Sequence, residues 1–228
     1  MATLMDWEAI RLSLWLASLT TATLLILGMP LAYWLAFSRW RWKFLVEAVV
    51  AMPLVLPPTV LGFYLLMAMG PRSPLGHAWE GLFGRTLPFS FEGLLIASVL
   101  YSLPFMIQPL AAAFAAVDRG LIEASWCLGV SRPRTFLRVI APLSWAGILT
   151  GLVLSFAHTL GEFGVVLMVG GNLPGRTRTV SIAIYDQVQA MDYAPAARTA
   201  ALLLGVSFLV LAFTYALRRH QRKPWTLI

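Results

Sequence analysis

Residues 118–142 read DRGLIEASWCLGVSRPRTFLRVIAP, a polar to amphipathic stretch that separates two long apolar segments. Asp118 is a suitable N-cap for a first short helix, and Gly129 suits the left-handed position just past its end. Ser131 is placed to cap a second helix, with Pro133 in its first turn. The stretch therefore predicts two short helices joined by a turn, an ordered loop that is expected to contact a partner.

The chain as a whole is too apolar for an ordinary soluble domain. Of its 228 residues, 59% are hydrophobic and 12% are charged, a composition that belongs in a bilayer. Five apolar segments approach or exceed the roughly 20 residues that a spanning helix requires. They are residues 12–37, 44–69, 91–117, 143–170 and 199–217. The sequence thus predicts an all-α membrane protein with about five transmembrane helices.

The domain organisation follows from these segments. Residues 1–11 form a short N-terminal segment, residues 12–217 form one membrane domain that includes loop 118–142, and residues 218–228 form a basic tail. Residues 181–191 are too polar to span, so we expect an interfacial or re-entrant helix there, on the outer side. The count would be six helices if this segment inserted further.

The distribution of charge predicts the orientation. If loop 118–142 is cytoplasmic, eleven of the 17 Lys and Arg residues lie inside and six lie outside. The positive-inside rule then places the N-terminus outside and the C-terminus in the cytoplasm. The basic residues that give the net charge of +7 cluster at membrane boundaries, and no nucleic-acid-binding motif accompanies them, which argues against a nucleic-acid-binding protein. Membrane lipid is the partner that these basic residues predict.

Prolines interrupt two of the apolar segments. They are Pro53, Pro57 and Pro58 in the second segment, and Pro104 and Pro109 in the third. Each removes a backbone donor and tends to kink its helix, so the affected carbonyls need partners from protein or water. One interpretation is a pore wall that can flex, and the other is that proline is simply common in membrane helices.

The loop resembles a known motif. Glu123, Ala124 and Ser125 are followed by Gly129 six residues after the glutamate, and Pro142 lies at the foot of the next membrane helix, where the second short helix should stop. This order resembles the EAA loop of type I ABC importer permeases, with serine at the second alanine position. The resemblance implies the MetI-like permease fold and a coupling helix that docks on a separate ATPase subunit. The alternative is an amphipathic interfacial loop without a partner.

The fourth apolar segment carries a polar stripe. Ser155, His158, Thr159 and Glu162 occupy positions i, i+3, i+4 and i+7, which share one helical face. A carboxylate in the membrane costs about 2.5 kcal/mol or more on insertion scales, and it marks a functional or tightly paired position. Glu162 should therefore face the interior of the bundle. These four residues are the candidates for a pore, a gate or an interhelix contact.

Three further stretches extend the resemblance. They are TLGEFG at residues 159–164, GGNLPGRTRT at 170–179 and SIAIYD at 181–186. They resemble the molybdate and sulfate branch of these permeases, and the molybdate permeases most closely. The resemblance implies ATP-driven import of an oxyanion, with molybdate favoured and tungstate or sulfate as alternatives. It also implies a homodimer, ATPase subunits that bind ATP and Mg, and an extracytoplasmic oxyanion-binding protein.

Charge within the predicted pathway limits the roles of individual residues. Glu162 would repel an oxyanion, so we favour a hydrogen bond between helices or subunits, to His158 or to a backbone N–H, over substrate contact. Arg176 and Arg178 flank Thr177 on a turn rich in glycine and proline. They are candidates for an outer mouth that meets an anion or an acidic docking surface, with solvated loop charge as the alternative.

The sequence lacks the motifs of several common catalytic, metal-binding and nucleotide-binding sites. No phosphate-binding loop, HExxH helix, CxxC pair or GxSxG elbow occurs, so we expect no catalytic residue, metal or cofactor in this chain. An intramembrane hydrolase would need Ser155 and His158 as its dyad, without an evident orienting group. An ion-driven transporter would use His158 and Glu162 as a proton relay, but no internal repeat is evident. A purely structural membrane anchor would leave the loop and the stripe unexplained.

Overall fold

The computed structural model describes residues 5–221, and every regular element among them is helical. The α-helices are α1 (Trp7–Phe37), α2 (Lys43–Val55), α3 (Pro58–Met69), α4 (Pro74–Phe83), α5 (Phe91–Ala115), α6 (Arg119–Cys127), α7 (Arg132–Thr135), α8 (Ala141–Leu143), α9 (Trp145–Gly161), α10 (Gly164–Gly170), α11 (Val180–Gln189) and α12 (Tyr193–Gln221). A five-residue π-helix, Phe136–Ile140, joins α7 to α8. The prediction of an all-α protein is confirmed for this part of the chain.

Three of the described helices are long and apolar enough to cross a membrane by themselves. They are α1, α5 and α12. Two bent pairs are long and apolar enough when each is taken together, either as a broken span or as a re-entrant loop: α2 with α3 at 114°, and the helical stretch Arg132–Leu143 with α9 at 75°. The predicted count of five is reached when each bent pair is counted as one span. Residues 1–4 of the predicted N-terminal segment and 222–228 of the predicted tail lie outside the described residues.

The core of the bundle is formed by α1, α5 and α9. Small residues allow these helices to approach closely: a Cβ on Gly151 would lie 2.6 Å from Leu110 Cδ1, and a Cβ on Gly147 would lie 2.2 Å from Ala113 Cβ. Close approach through glycine is the usual way in which membrane helices gain van der Waals contact. The fully buried Leu110 and Phe114 lie in this core.

The second predicted span is broken by its prolines. Leu56 and Pro57 have extended backbones, and Pro58 opens α3, where its missing N–H costs nothing. The prolines of this segment therefore coincide with a sharp bend between two helices, and a pore wall that can flex stays a prediction. Helix α3 packs chiefly against α10, while α2 packs against α5.

The fourth predicted span differs from the expectation at both ends. Helix does not stop before Pro142: the chain stays helical through the π-helix to Leu143 and bends at Ser144. Ser131 makes no side-chain capping bond. At the far end, α9 stops at Gly161 and α10 begins at Gly164, so the predicted apolar segment 143–170 contains a break in the helix.

Residues 181–191 form most of α11, a helix of ten residues. At 1.5 Å per residue its length is about 15 Å, half of a bilayer core, so this segment does not add a sixth span. The Ser13 hydroxyl of α1 accepts a hydrogen bond from the Val180 N–H at 2.7 Å. This tertiary cap fixes the start of α11 against the first half of α1.

Candidate functional site

The first predicted helix of loop 118–142 is confirmed as α6. The Asp118 carboxylate accepts a hydrogen bond from the Gly120 N–H at 2.8 Å, as an N-cap does. At the other end Gly129 has φ +76°, and it donates to the Trp126 carbonyl while Val130 donates to the Ser125 carbonyl. These two bonds form a Schellman motif, which requires the left-handed residue that glycine supplies.

Two hydroxyls hold the loop together. Ser125 Oγ lies 2.9 Å from Thr135 Oγ1, and both side chains are buried. This bond joins α6 to α7 across the turn. Alanine at position 125, as in the motif, could not form it. Because either buried hydroxyl would lose its partner if the other were removed, the pair contributes to the fixed angle between the two helices.

The loop is attached to the membrane core by buried side chains. Ile122 of α6 and Ile140 of the π-helix belong to the same apolar cluster as Leu110 and Phe114 of α5. The Phe136 ring meets the Phe114 ring edge to face, with 5.6 Å between centroids. A force applied to α6 is therefore transmitted to α5 through direct contacts rather than through a flexible linker.

The opposite face of α6 lacks any cover among the described residues. Glu123 and Ala124 are exposed, and so are Leu121, Trp126 and Leu128, the last of these at 82%. Large apolar side chains that are exposed on an ordered loop are available for contact with a docking protein. Of the predicted coupling residues, Glu123 and Ala124 lie on this face, Ser125 and Gly129 shape the loop, and Pro142 lies in the helical stretch before the bend.

Glu162 lies at the break between α9 and α10. Its own backbone is extended, and its carboxylate accepts a hydrogen bond from the Val165 N–H at 2.8 Å, with 8% of the residue exposed. The first N–H groups of a helix have no partner within it, and a carboxylate there also meets the positive end of the helix dipole. Of the two partners expected from the sequence, the structure shows the backbone N–H and not His158.

The rest of the predicted stripe is joined to α5. The Ser102 hydroxyl lies 3.0 Å from His158 Nδ1 and 2.9 Å from Thr159 Oγ1. The His158 ring also stacks on Phe105, with 3.9 Å between centroids. Ser155 Oγ is fully buried and has no hydrogen-bond partner among the described residues, so the Ser155 and His158 dyad is not formed.

Ser102 is a residue that sequence reasoning missed. It lies in an apolar stretch of α5, 56 residues before His158, and no local pattern distinguishes it from a serine facing lipid. The only signal for Ser102 was its position near a predicted kink. Ser98 and Ser102 lie on the same helix as Pro109, and hydroxyls near a proline can satisfy the backbone groups that it frees.

The two predicted outer-mouth arginines have different surroundings. Arg178 Nε donates to Asn172 Oδ1 at 2.7 Å, and its guanidinium lies 3.3 Å from the Asp186 carboxylate and 3.8 Å from that of Asp6. It therefore ties the loop between α10 and α11 to α11 itself and to the start of α1. Arg176 is exposed and lines an open cavity of about 650 Å³ at the end of the bundle opposite to α6.

Known proteins are similar to this chain over nearly its whole length. Residues 28–223 match the family of the binding-protein-dependent transport system inner membrane component. The chain is 54% identical over 216 residues to the molybdenum transport system permease protein ModB of Azotobacter vinelandii, covering 95% of this chain and 96% of that one. It is 36% identical over 219 residues to ModB of Escherichia coli K12, covering 96% of each.

A more distant relative carries a different name. The chain is 35% identical over 175 residues to a probable sulfate transport system permease protein, cysT, of Chlorella vulgaris, covering 77% of this chain and 65% of that one.

Solved structures share the fold. A bacterial alginate ABC transporter, in complex with an alginate-bound periplasmic protein, matches with a TM-score of 0.78 at 16% identity, covering 97% of this chain and 81% of that one. The MetNI methionine ABC transporter, in an inward-facing conformation, matches with a TM-score of 0.72 at 15% identity, covering 95% of each. The MetI-like architecture that the loop implied is thereby confirmed. The chain belongs to the binding-protein-dependent transport system inner membrane component family, as a multi-pass ABC importer permease of the inner membrane.

Proposed function

We propose that this permease imports molybdate, with a separate ATPase subunit supplying the energy through α6. The observation that carries the proposal is the exposed face of α6 on a loop whose other face belongs to the core of the bundle. The assignment of molybdate rests on relatives named as molybdenum permeases, at 54% and 36% identity over nearly the whole chain.

The proposed assembly has three kinds of protein component. Two copies of this chain enclose the pathway, two ATPase subunits bind ATP and Mg and dock on the two α6 helices, and an oxyanion-binding protein delivers substrate from outside. The N-terminus lies outside, the C-terminus and residues 218–228 lie in the cytoplasm, and residues 12–217 form the permease domain. This chain binds no cofactor of its own, and selectivity resides chiefly in the binding protein.

The proposed mechanism is alternating access. Closure of the ATPase subunits brings the two α6 helices together, and Ile122, Ile140 and Phe136 transmit that movement to α5. The bends at Ser144 and at Pro57 separate rigid helices, so they are suitable hinges for the rearrangement. Ser155, His158, Thr159 and Glu162 act in this proposal at contacts between helices rather than as substrate ligands.

Substitutions in α6 test the coupling. We expect Glu123→Arg, which reverses a charge on the docking face, and Gly129→Pro, which cannot adopt φ +76°, each to lower molybdate uptake about tenfold or more. The ATPase subunit should also dissociate during purification, while membrane insertion stays normal.

The matched control is Gly84→Pro. Gly84 also has a left-handed backbone, φ +65°, and donates the bond that closes α4, at the far end of the bundle. This variant should retain the ATPase subunit. Normal uptake together with normal co-purification in both α6 variants would contradict the proposal.

A sulfate permease is the second candidate, because a relative at 35% identity carries that name. Uptake in proteoliposomes with the binding protein present distinguishes the substrates by competition among molybdate, tungstate and sulfate. The same assay tests the ion-driven alternative. Uptake that requires ATP and the ATPase subunit, and that persists when the proton gradient is collapsed, excludes a proton relay through His158 and Glu162.

A further inference from the structure

A basic cavity lies where the end of α1 meets loop 118–142. Its volume is about 540 Å³, and its charged lining consists of Arg39, Arg119, Arg132 and Glu123, an excess of two positive charges. None of the salt bridges within the described part of the chain uses any of these three arginines. Trp126 forms part of the wall, and the Arg132 guanidinium lies over its ring at 5.7 Å. The cavity thus offers cations without neighbouring carboxylates to neutralise them fully.

An apolar groove continues from this cavity along α1. Its volume is about 850 Å³, and Tyr33 and Arg132 line both spaces. The other lining residues are Leu25, Ile26, Met29, Pro30, Pro133, Phe136 and Leu137. Leu25 and Tyr33 are eight residues apart on one helix, so the groove extends about 12 Å from the basic end. Apolar depth of that extent, below a cluster of cations, matches the shape of a phospholipid.

We infer that the cavity and groove together bind one anionic phospholipid of the leaflet that faces α6. The phosphate lies among Arg39, Arg119 and Arg132, and an acyl chain lies in the groove beneath Arg132. Basic pockets between membrane helices on the cytoplasmic side attract anionic headgroups, and each arginine near the surface strengthens the attraction about fivefold. A free phosphate would leave the groove empty, and an apolar peptide would leave the arginines without counter-charge.

The neighbouring loop supports a lipid rather than a protein occupant. Residues 38–43 read SRWRWK, and Trp40 and Trp42 are both exposed. Exposed tryptophans beside basic residues are typical of the interface between headgroups and acyl chains. The mouth of the cavity is therefore at headgroup depth. Because α1, α6 and α7 all line the site, a bound lipid would bridge the first membrane helix and the coupling loop.

Native mass spectrometry of the whole complex tests the inference. The complex is titrated with phosphatidylglycerol or with phosphatidylcholine of the same acyl chains, and retained lipid is counted. Arg39→Gln with Arg132→Gln should weaken retention of phosphatidylglycerol roughly 20- to 30-fold. The matched control is Arg134→Gln with Arg138→Gln, which removes the same charge from exposed arginines that line neither space. This control should retain the lipid as the unmodified protein does.

A second pair of variants tests the groove. Ile26→Trp fills the groove, and Leu27→Trp adds the same bulk one residue further along, where the side chain lines neither space. Both residues are more than 60% exposed, so neither change disturbs a buried core. Phosphatidylglycerol retention should fall several-fold in the first variant and stay unchanged in the second. Unchanged elution with the ATPase subunit confirms that each variant is folded.

Three results would overturn the inference. Equal retention of the two lipids would show that the arginines do not select the headgroup. Equal loss in the two arginine pairs would show diffuse attraction without a defined site. Retention by the isolated permease but not by the complex would show that the ATPase subunit covers the cavity and that a protein is its occupant.

Discussion

At the scale of single residues, Glu162 shows how a buried carboxylate is accommodated in a membrane protein. Burial alone would cost about 2.5 kcal/mol or more, but the break in the helix supplies unpaired N–H groups and a positive dipole end. The hydrogen bond of 2.8 Å from the Val165 N–H satisfies one of these N–H groups and places the carboxylate at the positive end of the helix dipole. The start of α10 therefore supplies the hydrogen-bond partner of this buried carboxylate.

Glu162→Gln and Glu162→Ala separate this structural role from proton transfer. The glutamine amide oxygen can still accept from Val165, so we expect nearly normal uptake and thermal stability. Alanine cannot, and loss of a helix cap costs about 0.5–2 kcal/mol, so the melting temperature and uptake should both fall. The measurements are thermal unfolding of the purified complex and ATP-driven uptake. Equal loss of uptake in both variants, with stability intact, would favour a relay that needs an ionisable group.

The sequence predicted the positions of those residues whose hydrogen bonds are made with near neighbours in the chain. Asp118 and Gly129 were predicted correctly, because capping and left-handed backbone depend only on neighbours in the chain. Ser102 was missed, because its partners His158 and Thr159 come from another helix. Glu162 was placed correctly in the interior, but its partner depended on a break that hydropathy does not reveal.

At the scale of elements, the packing of α10 on α3 depends on glycine. A Cβ on Gly164 would lie 2.6 Å from Pro58 Cβ, and one on Gly62 would lie 2.8 Å from Met168 Cβ. The ring of Pro58 cannot rotate away, so the two helices would have to separate. Gly164 thus combines a close approach to Pro58 with the first position of α10, directly after the break.

Gly164→Ala should therefore destabilise the protein, and Gly161→Ala should not. Overpacking of a tight contact costs about 1–3 kcal/mol, whereas a Cβ on Gly161 would meet no atom within 4 Å. Thermal unfolding of the two variants in one detergent measures the difference. A similar melting temperature for both variants would show that α10 does not pack tightly against α3 at Gly164.

Hydropathy could not locate the break between α9 and α10 within the predicted segment 143–170. Residues 143–170 are apolar throughout apart from the polar stripe, and hydropathy measures composition rather than backbone direction. The two glycines around Glu162 weaken the helix locally, and beyond the break α10 packs against α3 and α5. Prolines gave a better signal in the second span, where the bend falls at Pro57 and Pro58.

At the scale of the whole molecule, one apolar cluster reaches from the middle of the bundle into loop 118–142. Val117, Ile122 and Ile140 share it with α1 and α5, so the loop and the bundle form one packed body. Since packed interiors transmit displacement rather than absorb it, docking on α6 is mechanically linked to the membrane part. The arrangement gives the proposed coupling a physical route, and it requires α6 to face the cytoplasm.

The native cysteine reports both the orientation and the docking. Cys127 is the sole cysteine of the chain, and it is exposed near the end of α6. A membrane-impermeant maleimide should label it in inside-out vesicles that lack the ATPase subunit, and not in right-side-out vesicles. Adding the ATPase subunit should slow the labelling about tenfold, because a docked protein excludes the reagent from the helix face.

The control for sidedness moves the cysteine to the other end of the bundle. In Cys127→Ala with Leu82→Cys, the new thiol lies on α4 at a position that is 80% exposed in the native chain. It should be labelled only in right-side-out vesicles and at the same rate with or without the ATPase subunit. Labelling of Cys127 from the outer side would reverse the proposed orientation. Labelling at an unchanged rate in the assembled complex would remove α6 as the docking helix, because an exposed thiol at the end of a docked helix would be shielded by the ATPase subunit.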